Sequence, residues 1–231
     1  MPFRPHPPRE IALVLAGLGL VGLAVRADRR DVTPIYAPGV GTYRGRAINA
    51  LDRLGSTVRR SRPAELADFG LYGGPTLPLL LSFDRFARVQ YPLILTMWFE
   101  TMLLTFSLSS LIKNTANRPR PYVYHADWQP ERLLTRNDRA AFLSGHAANA
   151  TAGAVLFAAL LEAYDRPLAR YGRPLALAVA GLTAYLRVRA GKHWPTDALA
   201  GVLLGGGVAG AVVRWHREDT GSTKPKLPPL N

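Results

Sequence analysis

The stretch YPLILTMWFETMLLTFSLSSLI, residues 91–112, decides the fold class, and Glu100 is its one charged residue. A helix needs about 20 consecutive apolar residues to cross the hydrocarbon core of a bilayer, so this stretch is long enough by itself. A carboxylate inside a span normally faces the interior of the helix bundle. The stretch therefore predicts a transmembrane helix whose Glu100 is turned toward other helices.

Five further apolar stretches flank it, with few internal charges and with arginines at their ends. They are Ile11–Val25, Phe69–Phe83, Phe142–Ala163, Pro174–Leu186 and Ala198–Val213. The stretch from Phe142 reaches spanning length if its polar start is counted, and the others are shorter. We expect an all-α, six-helix transmembrane bundle. The short stretches leave a soluble all-helical protein with buried helices as the alternative.

The first stretch also fits a signal peptide. A short basic leader precedes it, and Ala-Val-Arg-Ala at Ala24–Ala27 resembles a small-residue cleavage site. An arginine inside that site is atypical, so we favour an uncleaved first span.

The amino-acid composition limits which kinds of partner the chain is expected to bind. Its 231 residues carry a formal net charge of +13, mostly from arginine, and no cysteine. Such a chain is expected to meet phosphate groups or acidic lipid surfaces. Nucleic acid is not favoured, because the arginines are scattered between apolar stretches. Without cysteine, disulfides and thiolate metal sites are excluded.

Residues 1–213 are predicted to form one membrane domain, followed by a polar, proline-containing tail at 214–231 that is expected to be disordered. In the long connection 26–68, apolar residues of Ile48–Val58 recur at helical spacing. This segment fits either a helix on the membrane surface or a solvated helix packed on the bundle. In the last stretch, glycines four residues apart predict close helix packing within the bundle, and no oligomer is inferred.

Polar residues concentrate at the ends of three apolar stretches. The first group runs from Lys113 to Pro121, with six residues between Lys113 and Arg120, and its prolines end the preceding helix. The chain has only four lysines and uses arginine at most of its other basic positions, so a lysine at position 113 is unusual for this chain. A lysine offers a compact point charge for one phosphate oxygen, whereas arginine offers a planar fork.

The second group is Ser144-Gly145-His146, at the start of the fourth apolar stretch. Serine is a favoured N-cap. The N-terminus of a helix presents free backbone N–H groups and a positive dipole end, which together bind anions. A histidine in such a first turn is more often an ordinary polar residue than a catalyst.

The third group runs from Arg187 to Asp197. Pro195 suits the first turn of a helix. His193 and Asp197 are four residues apart, within contact distance if the turn is helical. A carboxylate bonded to one imidazole nitrogen leaves the other free to attack; the alternative is a capping aspartate beside an unrelated histidine.

In order and spacing, these groups resemble the three-part signature of the type 2 phosphatidic acid phosphatase family, which shares its site with vanadium haloperoxidases. A lysine, six residues and Arg-Pro match the first motif. The second and third motifs match except that Leu143 replaces a usual proline and Leu186 replaces a usual serine. Neither departure removes a charged or nucleophilic group.

The resemblance implies roles for eight residues. His193 would attack phosphorus to form a phosphohistidine, His146 would protonate the leaving alcohol and then activate water, and Asp197 would orient His193. The phosphate oxygens would be held by Lys113, Arg120, Arg187, Ser144 and Gly145. Three cations around one anion leave no need for a metal ion, so we expect no metal and no cofactor.

The resemblance implies a multi-pass cell-membrane enzyme with its active site on the extracytoplasmic side. Its substrate would be a lipid phosphate monoester or diphosphate, of the phosphatidate, phosphatidylglycerophosphate, polyprenyl diphosphate or lipid A type. Alternatives are a soluble acid phosphatase of the same superfamily, a haloperoxidase, and a catalytically silent membrane protein.

Overall fold

A computed structural model describes residues 1–30, 49–55, 57–85, 87–125 and 132–217 of the chain. This part of the chain forms six α-helices and has no β-strand. The helices are α1 Pro7–Arg29, α2 Ser61–Thr76, α3 Tyr91–Ala116, α4 Gly145–Ala163, α5 Ala169–Arg189 and α6 Pro195–His216. Five short 3-10 helices lie between them, at Asp52–Leu54, Leu77–Phe83, Ala87–Gln90, Pro121–Tyr124 and Asn137–Arg139.

Each of the six apolar stretches lies on a helix, which confirms the predicted all-α, six-helix fold. The second stretch is divided: α2 ends at Thr76 and a 3-10 helix continues from Leu77 to Phe83. Pro75 and Pro78 each lack a backbone N–H, so a regular α-helix cannot continue through them with all its hydrogen bonds.

α1, the segment Ala87–Tyr124 that contains α3, and α6 are long and apolar enough to cross a membrane. Large apolar side chains are also exposed on the outer faces of the helices. Examples are Leu15, Phe106, Leu177 and Leu203, each more than half exposed. An apolar exterior of this kind is matched by lipid rather than by water.

α1 is a full member of the bundle. It packs along α3 and continues without a break through Ala24–Ala27, where the sequence resembles a cleavage site. Ala24 and Ala27 are buried, and the Asn114 side-chain amide donates to the Ala24 carbonyl at 3.0 Å. These contacts join the C-terminal end of α1 to α3, and the uncleaved first span stays a prediction.

α4 occupies the centre of the bundle, in contact with α2, α3, α5 and α6. Glycines permit its closest contacts. A Cβ added at Gly205 of α6 would lie 2.0 Å from the carbonyl oxygen of Ala148, and one at Gly153 would lie 2.2 Å from that of Gly74. Backbones therefore touch at these positions, as predicted for the glycines of α6.

Two carboxylates lie within the apolar stretches, and Glu100 lies where the sequence predicted. Glu100 is fully buried, with Oε2 3.4 Å from Nε2 of His216 on α6. Glu162 is in the last turn of α4 and forms a bidentate ion pair with Arg173. The first faces the bundle interior, and the second marks a helix end.

The connection before α2 departs from the prediction. The described part of Ile48–Val58 holds only the 3-10 turn Asp52–Leu54 rather than a longer helix, and Leu54 is 77% exposed. The reason is that the buried carboxylate of Asp52 binds Thr196 of α6, which fixes the local backbone. Ile48 itself lies outside the described residues.

At the other end of the chain, α6 continues to His216, so three residues assigned to the tail are helical. Residues 218–231 lie outside the described part of the chain.

Replacing Gly205 by Ala should destabilise the bundle by about 1–3 kcal/mol, because the new methyl group meets the Ala148 carbonyl and the helices must separate. Gly207 is the matched control on the same helix, since a Cβ there meets nothing within 4 Å. Gly207→Ala should be neutral or stabilise slightly. Thermal unfolding in detergent compares them, and equal midpoints for the two variants would contradict this packing.

Candidate active site

All three motifs meet at one end of the bundle. Helices α3 and α5 end there, bringing Lys113 and Arg187 in their last turns. Helices α4 and α6 begin there, bringing Ser144 as the N-cap of α4 and His193 two residues before α6. The up-and-down order of the helices thus gathers residues that are far apart in the chain.

The first motif leaves α3 through a left-handed residue, Asn117, with φ of 46°. The extended segment that follows is held by backbone hydrogen bonds to residues just before α4. Arg120 N–H donates to the Asp138 carbonyl at 2.8 Å, and Ala141 N–H donates to the Arg118 carbonyl at 3.0 Å. These bonds fix Arg120 over the start of α4.

At the start of α4, a cation and a helix N-terminus lie side by side. A Cβ added at Gly145 would lie 3.3 Å from Nζ of Lys113, so the missing side chain leaves room for the ammonium group. Ser144 is fully buried, and its Oγ accepts from Ala147 N–H at 3.4 Å as an N-cap. This combination favours an anion.

Two arginines of the site are buried although not all of their hydrogen-bond donors have an acceptor. Arg120 is 7% exposed and Arg187 is 6% exposed. The Nε atoms of both lack a hydrogen-bond partner among the described residues. Burying a guanidinium with an unpaired donor is costly. An oxyanion between these groups would supply the missing acceptors.

His193 is held as a neutral imidazole. Its Nδ1 donates to the Ala141 carbonyl at 2.6 Å, and since a carbonyl only accepts, Nε2 carries the free lone pair. Burial lowers the pKa of His193 well below its ordinary value, and the charges of Arg120, Arg187 and Lys113 lower it further. A neutral histidine with one unprotonated nitrogen is suited to nucleophilic attack.

The predicted contact between Asp197 and His193 is not formed as a hydrogen bond. The nearest oxygen of Asp197 lies 4.0 Å from Nδ1. As the third residue of α6, Asp197 instead accepts from the backbone N–H of Trp194 at 2.8 Å and pairs with Arg118. The tautomer of His193 is therefore set by the Ala141 carbonyl, and Asp197 secures the turn that carries His193.

A buried ion network beside this turn was not identified from the sequence. Arg118 bridges Asp197 and Asp52, and Asp52 also accepts from both the backbone and the hydroxyl of Thr196. Burial acts to raise the pKa of Asp52, but hydrogen bonds from Thr196 and Arg118 outweigh it and lower the pKa. Nothing in local spacing links position 52 to position 118.

The partner of His146 was also missed. Its Nε2 lies 2.9 Å from Oδ1 of Asp68, which comes from α2. In the sequence, His146 has no carboxylate nearby, and the pairing arises only because α2 packs against α4. This contact orients the imidazole ring.

Two further cations lie near Arg120. Lys192 and Arg59 are 5.4 Å and 5.3 Å from the centroid of the Tyr122 ring. Burial lowers the pKa of Lys192 to about 8, with added repulsion from Arg59 and Arg120.

Within the described ranges, no cluster of three or more His, Cys, Asp or Glu residues is arranged to hold a metal ion.

Comparison with known proteins identifies one family. The model of the PAP2 superfamily matches residues 94–220, a range that contains all three motifs. No curated protein and no solved structure matches the chain significantly.

The Asp52 network should make stability sensitive to acid. Because the folded pKa of Asp52 lies below the unfolded value of about 3.9, its contribution is complete above that value and is lost as the pH falls through the folded pKa. Asp52→Asn should cost about 1–3 kcal/mol at neutral pH and flatten the decline of the melting temperature below about pH 4.

The control is Asp28→Asn, which removes the exposed ion pair of Asp28 with Arg136 and should change the melting temperature little. If both variants melted alike across this pH range, the buried network would have no special role.

Proposed function

This chain belongs to the PAP2 superfamily, a family of phosphatases, and we propose that it removes phosphate from a membrane lipid through a phosphohistidine intermediate. One observation carries the proposal: a buried neutral histidine faces a cluster of cations whose donors are only partly used. The apolar helices fit a membrane phosphatase. Its substrate is a lipid phosphate monoester or diphosphate.

The cations bind the phosphate before any bond changes. Lys113, Arg120 and Arg187 contact its oxygens, and the N-terminus of α4 at Ser144 and Gly145 adds hydrogen bonds. Phosphoryl transfer requires mainly positioning and charge stabilisation. Three fixed cations provide this stabilisation without a metal ion.

Transfer then proceeds through the two histidines. Nε2 of His193 attacks phosphorus, the phosphorus–oxygen bond to the leaving group breaks, and His146 donates a proton to the departing alcohol. In the second half, His146 takes a proton from water, which attacks the phosphohistidine and releases inorganic phosphate. Asp68 is a positioning residue in this scheme, because its contact with Nε2 orients His146. The negative charge of the bound phosphate favours the protonated form of His146 that the first step needs.

A phosphate-release screen of the purified protein across phosphatidate, phosphatidylglycerophosphate, a polyprenyl diphosphate and a lipid A phosphate tests the function. With EDTA present, turnover of at least one lipid is expected, and vanadate should inhibit it as a transition-state mimic. A reaction that stopped on chelation and returned with added magnesium or zinc would show that the site is wrongly assigned.

Replacing each of the two histidines by alanine should block a different step of the reaction. Rapid quench with ³²P-labelled substrate should give no acid-labile label on His193→Ala, because the nucleophile is gone. His146→Ala should still acquire label, with turnover reduced on the order of 10²- to 10⁴-fold. The loss should shrink for nitrophenyl phosphate, whose leaving group needs no proton.

Asp68→Asn serves as the graded control in the same assay. It should acquire label and lose less turnover than His146→Ala, because the imidazole remains in place. Acid-labile label on His193→Ala would contradict the assignment of the nucleophile.

We also propose that the motif end of the bundle is extracytoplasmic, which follows if the N-terminus lies inside. The chain has no native cysteine, so single cysteines report cleanly. Arg136→Cys lies at the motif end and Arg88→Cys near the opposite end, and both native side chains are exposed. An impermeant thiol reagent applied to intact cells should label only Arg136→Cys; the reverse pattern would invert the topology.

A further inference from the structure

A long groove lies on the outside of the bundle between α5 and α6, with α4 as its floor. Its volume is about 780 Å³, and its middle is lined by small and apolar residues such as Ala158, Ala176, Val202 and Gly206. A Cβ added at Gly207 or Gly210 would meet nothing within 4 Å. These two glycines therefore leave the groove open, unlike Gly205, which contacts α4.

One end of the groove is charged. Arg173, Arg214, Arg217 and Glu162 line it there. Glu162 is already paired with Arg173, whereas Arg214 and Arg217 have no side-chain ion pair within the described part of the chain. Two exposed cations next to one neutralised pair give this end a net positive charge.

The dimensions of the groove fit one leaflet of a bilayer. Along α6, its apolar wall runs from Val202 to Val213, about 16 Å at the helical rise per residue. Half of a typical hydrocarbon core is about 15 Å. Trp215, two residues beyond Val213, is 45% exposed, and tryptophan is enriched at the membrane interface. Arg214 and Arg217 thus lie at headgroup depth.

We propose that this groove binds an anionic phospholipid, with an acyl chain between α5 and α6 and its phosphate on Arg214 and Arg217. The lipid is not the substrate of the site described above. Arg214 lies about 25 Å along α6 from Asp197, and it belongs to the opposite leaflet. The proposal requires the chain to be in a membrane but is independent of its catalytic activity.

Native mass spectrometry of the detergent-released protein tests the proposal with phosphatidylglycerol and phosphatidylcholine as probes. Phosphatidylglycerol is a phosphodiester without a terminal phosphate, so it is a poor mimic of the proposed substrates. It should bind more tightly than phosphatidylcholine. The double variant Arg214→Gln with Arg217→Gln should weaken phosphatidylglycerol binding about 10- to 30-fold. The control pair, Arg88→Gln with Arg170→Gln, removes two exposed cations outside the groove and should not.

Filling the groove tests the acyl-chain half of the proposal. Gly207→Leu with Gly210→Leu should reduce the binding of both lipids, whereas Gly19→Leu, at an equally open position on α1, should leave it unchanged. Equal affinity for the two lipids, or no effect of the arginine pair, would overturn the proposal. Disulfide-linked dimers of a Gly207→Cys variant in native membranes would assign the groove to a second copy of the chain and also overturn it.

Discussion

Two buried arginines and a partly buried lysine, close together at one end of an apolar bundle, are the constraint on which the site depends. Lys113, Arg120 and Arg187 repel one another, and a low-dielectric surrounding makes that repulsion costly. The arrangement is held by packing elsewhere, above all by the backbone contacts that glycines allow around α4. It becomes favourable when an oxyanion takes the unused donors, and in the proposed mechanism that oxyanion is the phosphate of the substrate.

Burial and the same cations determine the protonation state of His193. Together with burial they keep its imidazole neutral, while the Ala141 carbonyl fixes the proton on Nδ1. Asp197 affects His193 only indirectly. It accepts from Trp194 N–H and pairs with Arg118, which stabilises the turn that carries His193. A carboxylate hydrogen-bonded directly to Nδ1 of His193 would likewise leave Nε2 free to attack. The spacing of the two residues alone does not distinguish these arrangements.

The sequence predicted the helices well, but it did not predict side-chain contacts between residues that are far apart in the chain. All six apolar stretches form helices, because hydrophobic length and the prolines at helix ends are local properties. The motifs meet at one end because helices joined by short connections alternate in direction. Asp52 and Asp68 were missed since each binds a residue more than 60 positions away. The helical spacing within Ile48–Val58 was misleading, because the buried contacts of Asp52 outweigh local propensity there.

Equilibrium binding of orthovanadate to the purified protein in EDTA tests the central claim most directly, because it measures the anion site without turnover. Isothermal titration should give one vanadate per chain. Affinity should fall at least about tenfold in Arg187→Gln, the loss expected when one buried charge-assisted contact is removed, and should be unchanged in Arg88→Gln. Two results would contradict a phosphate site built from the chain's own cations: vanadate binding that required an added divalent ion, or an affinity for vanadate that was unchanged in Arg187→Gln.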